Sequence, residues 1–128
     1  MKTDYAICKD NLQFMQSLPN DSIDLIYIDP PFFCQKDFKN KNGIGFSDSW
    51  PSRDAYLNFI RSRTDQCHAL LKDTGSLFFH CDWRINHHIR LMLDKVFGES
   101  NFVNEIIWCY TGPSGTKKYF PKKHDNIF

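Results

Sequence analysis

The stretch of sequence that decides the fold is SIDLIYIDPPF, which occupies residues 22–32. Its apolar run over residues 25–28 is typical of a strand that is buried within a parallel sheet. Two consecutive prolines, Pro30 and Pro31, then end the strand, because each fixes φ and lacks an N–H donor. We therefore expect a strand over residues 22–28 and a rigid turn at its carboxyl end.

Strand-like and helix-like segments alternate on both sides of this stretch. Short apolar runs predict further strands, and apolar residues at helical spacing predict the helices between them, the second of which Ser52 can cap. This order predicts an α/β fold with a mostly parallel sheet flanked by helices. The expected strands are 5–8, 22–28, 76–81, 104–110 and 126–128, the expected helices are 11–18, 52–71 and 85–96, and residues 34–50, 73–75 and 111–123 are expected to form loops or turns.

The composition is that of one compact globular domain. Of the 128 residues, 41% are hydrophobic and 24% are charged, and the formal net charge is +1. This balance excludes a generally basic protein that wraps nucleic acid, although it allows a local basic patch. The sequence has no apolar run long enough to span a membrane and no signal peptide at its start. We therefore expect a cytoplasmic protein with no membrane partner.

The five cysteines are widely spaced and form no CxxC pair. Zinc ribbons and disulfide frameworks need paired spacings of cysteine, so neither is expected here. The histidines also lack the spacing of metal ligands. We expect reduced, mostly buried thiols and no metal site.

The segment Asp29-Pro30-Pro31-Phe32 combines a carboxylate, a rigid turn and an aromatic ring at the end of a strand. Ligands of parallel sheets bind outside the carboxyl ends of the strands. There, Asp29 and a proline carbonyl can accept the two N–H bonds of a planar amino group, while Phe32 stacks on the face of the same group. The alternative is a proline stop, in which Asp29 caps a turn and Phe32 packs in the core.

An ordered series of segments then gives the chain a family resemblance over nearly its whole length. It resembles the amino-group DNA methyltransferases of restriction–modification systems, in particular the beta class and the modification subunits of type III systems. The segments that carry the resemblance are DN (10–11), LPNDSIDLI (18–26), DPPF (29–32), FSDSW (46–50), GSLFFH (75–80), VFGESNF (96–102), EIIW (105–108) and KHDNI (123–127).

The resemblance implies an incomplete, Rossmann-like methyltransferase fold, in which residues 1–128 form the N-terminal part of an N4/N6-type catalytic domain. In this order of motifs, the cofactor-binding Phe-x-Gly-x-Gly loop and the target-recognition region lie far downstream, and residues 1–128 contain neither. The segment Gly43-Ile44-Gly45-Phe46 is not a substitute, because it follows no predicted strand and opens no predicted helix.

The activity that the resemblance implies is methyl transfer from S-adenosylmethionine to an exocyclic amino group of DNA, with adenine N6 favoured over cytosine N4. Asp29, Pro30, Pro31 and Phe32 would be the catalytic residues, and Asp10 and Asp29 would contact the cofactor. The implied partners are double-stranded DNA with a flipped target base, a restriction subunit and a second methyltransferase copy.

Other residues are candidates for contacts with DNA or have a plainer explanation. Phe46 and Trp50 suit the lining of a base pocket, although aromatic packing is the commoner role. Lys117, Lys118 and Tyr119 suit a loop that contacts phosphates and stacks on a base, but a solvated loop explains them equally well; Asp10 can equally cap a helix. For the chain as a whole, the alternatives are an inactive remnant of such an enzyme and a small nucleic-acid-binding module.

Overall fold

The computed structural model describes residues 4, 6–113, 115 and 117–128. The described residues form a four-stranded sheet in the order β1-β4-β6-β5 and a separate two-stranded hairpin, β2-β3. The strands are β1 (Ile23–Ile28), β2 (Asp37–Lys39), β3 (Gly45–Ser47), β4 (Leu71–Asp82), β5 (Ile106–Cys109) and β6 (His124–Ile127), and the helices are α1 (Asn11–Met15), α2 (Arg53–Leu70) and α3 (Asn86–Phe97), with a 3₁₀ turn at Glu99–Asn101.

The fold is α/β as predicted, and its four-stranded sheet contains both parallel and antiparallel pairs of strands. β1 and β4 pair in parallel, whereas β6 is inserted between β4 and β5 and runs antiparallel to both. β1, β4 and β5 therefore run in one direction, which agrees with a mostly parallel sheet, and β6 is the exception. The insertion depends on pairing between β6 and β4, which is distant in sequence, and the local pattern of residues 124–127 holds no signal for that pairing.

One face of the sheet is covered by α2 and α3. Their apolar stripes pack with Phe79 and Cys81 of β4, and with Ile85 just before α3, into one buried cluster, whose helical members are Tyr56, Ile60, Ile89, Met92 and Leu93. A smaller cluster joins α1 to the end of α2 through Met15, Cys67 and Leu70. Ser52 caps α2 as predicted, because its hydroxyl accepts the Ala55 N–H at 3.1 Å.

The opposite face of the sheet carries large apolar side chains that are about half exposed. Leu25 and Tyr27 of β1 lie on this face, and so do Ile106 and Trp108 of β5. Sheets built from parallel strands are normally buried on both faces. This face therefore has the composition of a surface that another layer covers. None of the helices in the described ranges combines the length and the apolar character that crossing a bilayer requires.

Four sequence expectations need correction. The thiols are not mostly buried, since of the five cysteines only Cys67 and Cys81 are buried. Residues 6–8 form no strand, and Tyr5 lies outside the described residues. The turn expected at residues 73–75 lies within β4, as an irregularity where the register with β1 shifts. Gly75 is needed there, since a Cβ would come within 3.0 Å of the Ile23 carbonyl oxygen. The loop expected over residues 34–50 instead contains the β2-β3 hairpin, in which the rings of Phe38 and Phe46 stack at 5.1 Å.

Candidate active site at the carboxyl end of the sheet

The carboxyl ends of β1 and β4 lie side by side because the two strands pair in parallel. Asp29 follows the last residue of β1, and His80 lies near the end of β4. Asp29 is 57% exposed at its side chain, and its Oδ1 is 3.3 Å from His80 Nδ1. An exposed carboxylate therefore stands at the edge of the sheet where ligands of α/β proteins bind.

The turn after Asp29 is held by a single buried carboxylate, Asp48. This side chain is 1% exposed and accepts the N–H groups of Phe32, Phe33 and Cys34 at 2.7–3.1 Å. It also accepts the indole N–H of Trp50 at 2.8 Å. Four hydrogen bonds to one charged acceptor compensate its burial and fix the backbone of the turn.

A second contact fixes the prolines. The Tyr56 hydroxyl, on α2, donates to the Pro31 carbonyl at 2.8 Å, and the Tyr56 side chain is fully buried. Burial, and to a smaller extent the nearby charges of Cys81 and Asp48, raises the pKa of this phenol well above its ordinary value, so the hydroxyl is a permanent donor. The turn is therefore tied to α2 as well as to Asp48.

Phe33 has a left-handed backbone with φ of 60°. A non-glycine residue in this region is strained and persists only where the surroundings hold it. Its N–H bond to Asp48 and the packing of its ring against Tyr56, at 5.3 Å between centroids, supply that restraint. Because the turn is sharp, the two rings have different neighbours. The Phe32 ring contacts His80, and the Phe33 ring packs against the core.

The predicted catalytic residues lie close together. Asp29 is exposed, whereas Pro30, Pro31 and Phe32 are half-buried. The ring of Phe32 meets the His80 ring edge to face, at 5.1 Å between centroids. Neither the Phe32 ring nor the His80 ring belongs to the buried core cluster.

The predicted contacts with the cofactor and DNA are more dispersed. Asp10 caps α1 through the Gln13 N–H and forms an ion pair with Arg63 at 2.9 Å. The Gln13 N–H, more than Arg63, lowers the pKa of the Asp10 carboxyl. Trp50 packs against Tyr56 and Phe59 as part of the turn's support.

The candidates on the hairpin and on the last loop lie at the surface. Phe46 is exposed on the hairpin, where it stacks on Phe38. Lys117, Lys118 and Tyr119 are exposed on the segment before β6, in which residues 114 and 116 lie outside the described residues. In the part of the chain that the structure describes, no three His, Cys, Asp or Glu side chains are arranged to hold a metal ion.

Sequence reasoning missed three site residues: Asp48, His80 and Asp125. Asp48 is in the FSDSW segment, but its role depends on three backbone N–H groups that are 14 to 16 residues away. His80 could have been found from its position at the end of a strand next to β1. Asp125 could not, since the antiparallel insertion of β6 is what brings its Oδ2 to 3.4 Å from His80 Nε2.

Comparison with known proteins identifies the class of protein to which this sheet and turn belong. A family model described as DNA methylase, of the N6/N4 type, matches residues 23–128. The chain therefore belongs to this DNA methylase family, as the resemblance of its motifs predicted.

Individual relatives agree with this assignment. The chain is 31% identical over 125 residues to the type II methyltransferase M.KpnI of Klebsiella pneumoniae, and the match covers 92% of this chain and 30% of that protein. It is 32% identical over 143 residues to the type III restriction-modification enzyme StyLTI Mod subunit of Salmonella typhimurium, covering 92% of this chain and 21% of that subunit. The chain thus spans less than a third of either relative.

A solved structure confirms the fold. The PvuII DNA methyltransferase, described as cytosine-N4-specific, superposes with a TM-score of 0.65 over 93% of this chain and 45% of its own length. The sequence identity is 15%, so this similarity concerns the fold alone. The chain is part of a methyltransferase fold, and less than half of that neighbour is represented in it.

Proposed function

We propose that residues 1–128 form the amino-group-binding part of a DNA methyltransferase that uses S-adenosylmethionine and acts in a restriction–modification system. The observation that carries this proposal is the Asp29 carboxylate, exposed at the carboxyl end of β1 beside a turn that Asp48 and Tyr56 hold rigid. Catalysis by positioning needs such a fixed acceptor. The type II and type III names of the similar proteins support the restriction–modification setting.

The proposed chemistry overcomes the weak nucleophilicity of the substrate nitrogen. The lone pair of an exocyclic amino group is delocalised into the base, so it must be drawn out of conjugation before it can attack. Asp29 would accept one N–H bond, and the Pro30 carbonyl would accept the other, because Tyr56 already donates to the Pro31 carbonyl. Phe32 would hold the base flat. The base must first leave the duplex stack, which costs a few kcal/mol.

The residues present fit part of the cofactor. S-adenosylmethionine supplies an electrophilic methyl group on a positively charged sulfur, and the exposed carboxylate of Asp29 suits a neighbouring positive charge. Asp10 is half-exposed, and each of its oxygens already accepts one hydrogen bond, from Gln13 or Arg63. We propose that the remaining lone pairs of the Asp10 carboxylate contact the adenosine group of the cofactor. Because the sequence lacks a Phe-x-Gly-x-Gly segment, we expect residues 1–128 alone to bind the cofactor weakly and to transfer no methyl groups.

The proposed substrate is double-stranded DNA, and the proposed target is adenine N6. The choice of adenine rests on the family resemblance, in which many cytosine-N4 enzymes carry Ser at the position that Asp29 occupies here; a carboxylate is also the stronger acceptor for the less basic amino group. Lys117, Lys118 and Tyr119 are proposed to contact the DNA, and Phe46 and Trp50 to lie near the base. A restriction subunit and a second methyltransferase copy are the proposed protein partners, and the similarity to the Mod subunit of a type III restriction-modification enzyme supports the first of them.

The test is Asp29→Ala in the full-length gene product that contains residues 1–128. Loss of a transition-state hydrogen bond to a charged acceptor should cost about 2–4 kcal/mol, so turnover should fall roughly 100- to 1,000-fold. Methyl transfer is measured with a tritiated methyl donor, and thermal unfolding is measured alongside. Asp24→Ala is the control, because it removes an exposed carboxylate of β1 whose ion pair with Lys72 is worth little. Near-normal turnover of Asp29→Ala would refute the catalytic assignment.

The identity of the methylated base is tested separately. Mass spectrometry of nucleosides from DNA treated with the same gene product should show N6-methyladenine. If the product is N4-methylcytosine instead, the choice of base is wrong and the reaction class stands. An absence of both methylated nucleosides would remove the proposed function.

A further inference from the structure

His80 is the point at which the elements around the candidate active site meet. Its side chain is 10% exposed and lies between two carboxylates from different strands. Nδ1 is 3.3 Å from Asp29 Oδ1, and Nε2 is 3.4 Å from Asp125 Oδ2. The Tyr27 hydroxyl is hydrogen-bonded to Nδ1 at 3.1 Å, so Nδ1 faces this hydroxyl as well as the Asp29 carboxylate.

The polar environment of the ring determines what it can do. Carboxylate oxygens only accept hydrogen bonds, so a ring nitrogen that faces one is stabilised when it carries a hydrogen. Nε2 is buried and makes no hydrogen bond of good geometry with a described residue, although the Asp125 oxygen is within ion-pair distance. A buried polar atom without a hydrogen bond destabilises the fold, so its presence needs an explanation, and a functional role is one.

The ring is also fixed by its aromatic neighbours. Trp108 stacks on it with an interplanar angle of 20°, and Phe32 meets it edge to face. His80 thus touches two of the three turn residues that are proposed to hold the base: the Asp29 carboxylate and the Phe32 ring. A shift of about 1 Å in such groups can cost about 100-fold in rate.

We propose that His80 is a positioning residue for Asp29. With hydrogen on both ring nitrogens, His80 directs Nδ1–H at Oδ1 of Asp29, which leaves Oδ2 directed at the amino group of the base, and directs Nε2–H at the Asp125 carboxylate on the opposite edge. This role rests on the proposed function, because it requires Asp29 to act on a substrate amino group. His80 itself touches no reacting atom and transfers no proton.

The central experiment compares three substitutions of His80 in the full-length gene product that contains residues 1–128. In His80→Asn, the amide nitrogen replaces Nδ1 and keeps a donor toward Asp29. In His80→Gln, the amide reaches instead toward the former position of Nε2, and His80→Leu has no donor. We expect kcat to fall about 100-fold in His80→Leu and His80→Gln, and His80→Asn to recover at least about tenfold of that loss. The KM for DNA should stay within about threefold of the wild-type value, since DNA affinity resides mainly in phosphate contacts.

The control for a general effect of histidine replacement is His68→Asn. His68 is exposed in the last turn of α2, at the other end of the sheet, so its loss should leave kcat unchanged. Thermal unfolding of each variant separates a loss of fold from a loss of positioning. A merely structural role would predict that activity follows stability, without a difference between the Asn and Gln variants.

Two milder substitutions keep the test decisive if His80→Leu fails to fold. Tyr27→Phe removes the other contact of Nδ1 and should keep near-normal kcat. Asp125→Asn should lower kcat in the wild-type background and have little further effect in His80→Asn, where Nε2 is absent. If kcat falls as much in Tyr27→Phe as in His80→Gln, the functional partner of Nδ1 is the Tyr27 hydroxyl and not Asp29. This outcome would overturn the proposal.

The outcomes distinguish this role from the function on which it rests. An active wild type whose His80→Leu variant keeps kcat within about threefold would overturn the positioning role alone, since misplacement should cost about 100-fold. Equal kcat in the folded His80→Asn and His80→Gln variants would also overturn the positioning role alone. A wild-type gene product without methyl transfer would overturn the proposed function, and the role of His80 with it.

Discussion

At the scale of single residues, Asp48 shows how one side chain can fold a turn that lacks regular structure. Three consecutive N–H groups of the turn, which no strand or helix pairs, all donate to its carboxylate. This is why two prolines and a left-handed Phe33 are tolerated beside the candidate site. The residue that shapes the site therefore lies outside the Asp-Pro-Pro-Phe segment itself.

Asp48→Asn should destabilise the protein and reduce methyl transfer. An amide offers one accepting oxygen instead of two and places its NH2 against N–H donors, so the free energy of unfolding should fall by about 1–3 kcal/mol. Urea denaturation measures the loss, and Asp37→Asn, at an exposed position of β2, is the matched control. Equal stability of the two variants would contradict the role assigned to Asp48.

Phe32 should contribute to catalysis through its ring. Phe32→Tyr and Phe32→Trp preserve a stacking surface and should keep most activity, whereas Phe32→Ala should lose about 1–3 kcal/mol of base stacking. The measurement is kcat/KM for methyl transfer to DNA. Should Phe32→Ala match the two aromatic variants, Phe32 would be a packing residue, which was the alternative interpretation of the segment.

At the scale of elements, β4 links the core to the site. Its inward side chains, such as Phe79 and Cys81, pack under α2 and α3, and His80 between them points to the opposite face. Burial raises the pKa of the Cys81 thiol to about 12, from an ordinary value of 9.0, with smaller contributions from Asp82 and Glu105. The strand thus carries a thiol that stays protonated in the folded state.

The buried Cys81 thiol should make stability fall at alkaline pH. Its folded pKa lies above its unfolded value, so between about pH 9 and pH 12 the unfolded chain releases a proton that the folded chain keeps. The free energy of unfolding should therefore fall by about 1.4 kcal/mol per pH unit from this thiol. Urea denaturation at several pH values should show a shallower decline for Cys81→Ala than for the wild type; parallel declines would contradict the assignment.

At the scale of the whole molecule, the fold has one covered face and one open face. α2 and α3 bury the first, whereas Leu25, Tyr27, Ile106 and Trp108 on the second remain about half exposed. An apolar surface of this kind marks an interaction site or a liability for aggregation. The same chain spans less than a third of M.KpnI, one of its relatives.

Residues 1–128 in isolation should therefore self-associate through the open face. The double substitution Leu25→Lys and Ile106→Lys should reduce this association without loss of fold, because neither side chain belongs to the buried core. Sedimentation velocity over a range of concentrations measures it. Ile44→Lys, at an exposed apolar residue next to β3, is the control. Association that is equally sensitive to Ile44→Lys would show that the open face is not responsible.

The sequence by itself determined the elements whose signals are local. The apolar run before Asp29 predicted β1, the cap at Ser52 and the stripe behind it predicted α2, and two prolines predicted the rigid turn. The ordered segments also predicted the family, which the match over residues 23–128 confirmed. These features depend on near neighbours in the chain, so their physics can be read from short stretches.

Only the tertiary structure decided how the site is assembled. The insertion of β6 brings Asp125 to His80, and residues 14 to 16 positions apart meet where Asp48 accepts the N–H groups of the turn. Local propensity carries no information about either contact, because the partners are chosen by sheet pairing and by the burial of polar groups. The sequence therefore predicted Asp29 as the acting group, and the structure showed which residues surround it.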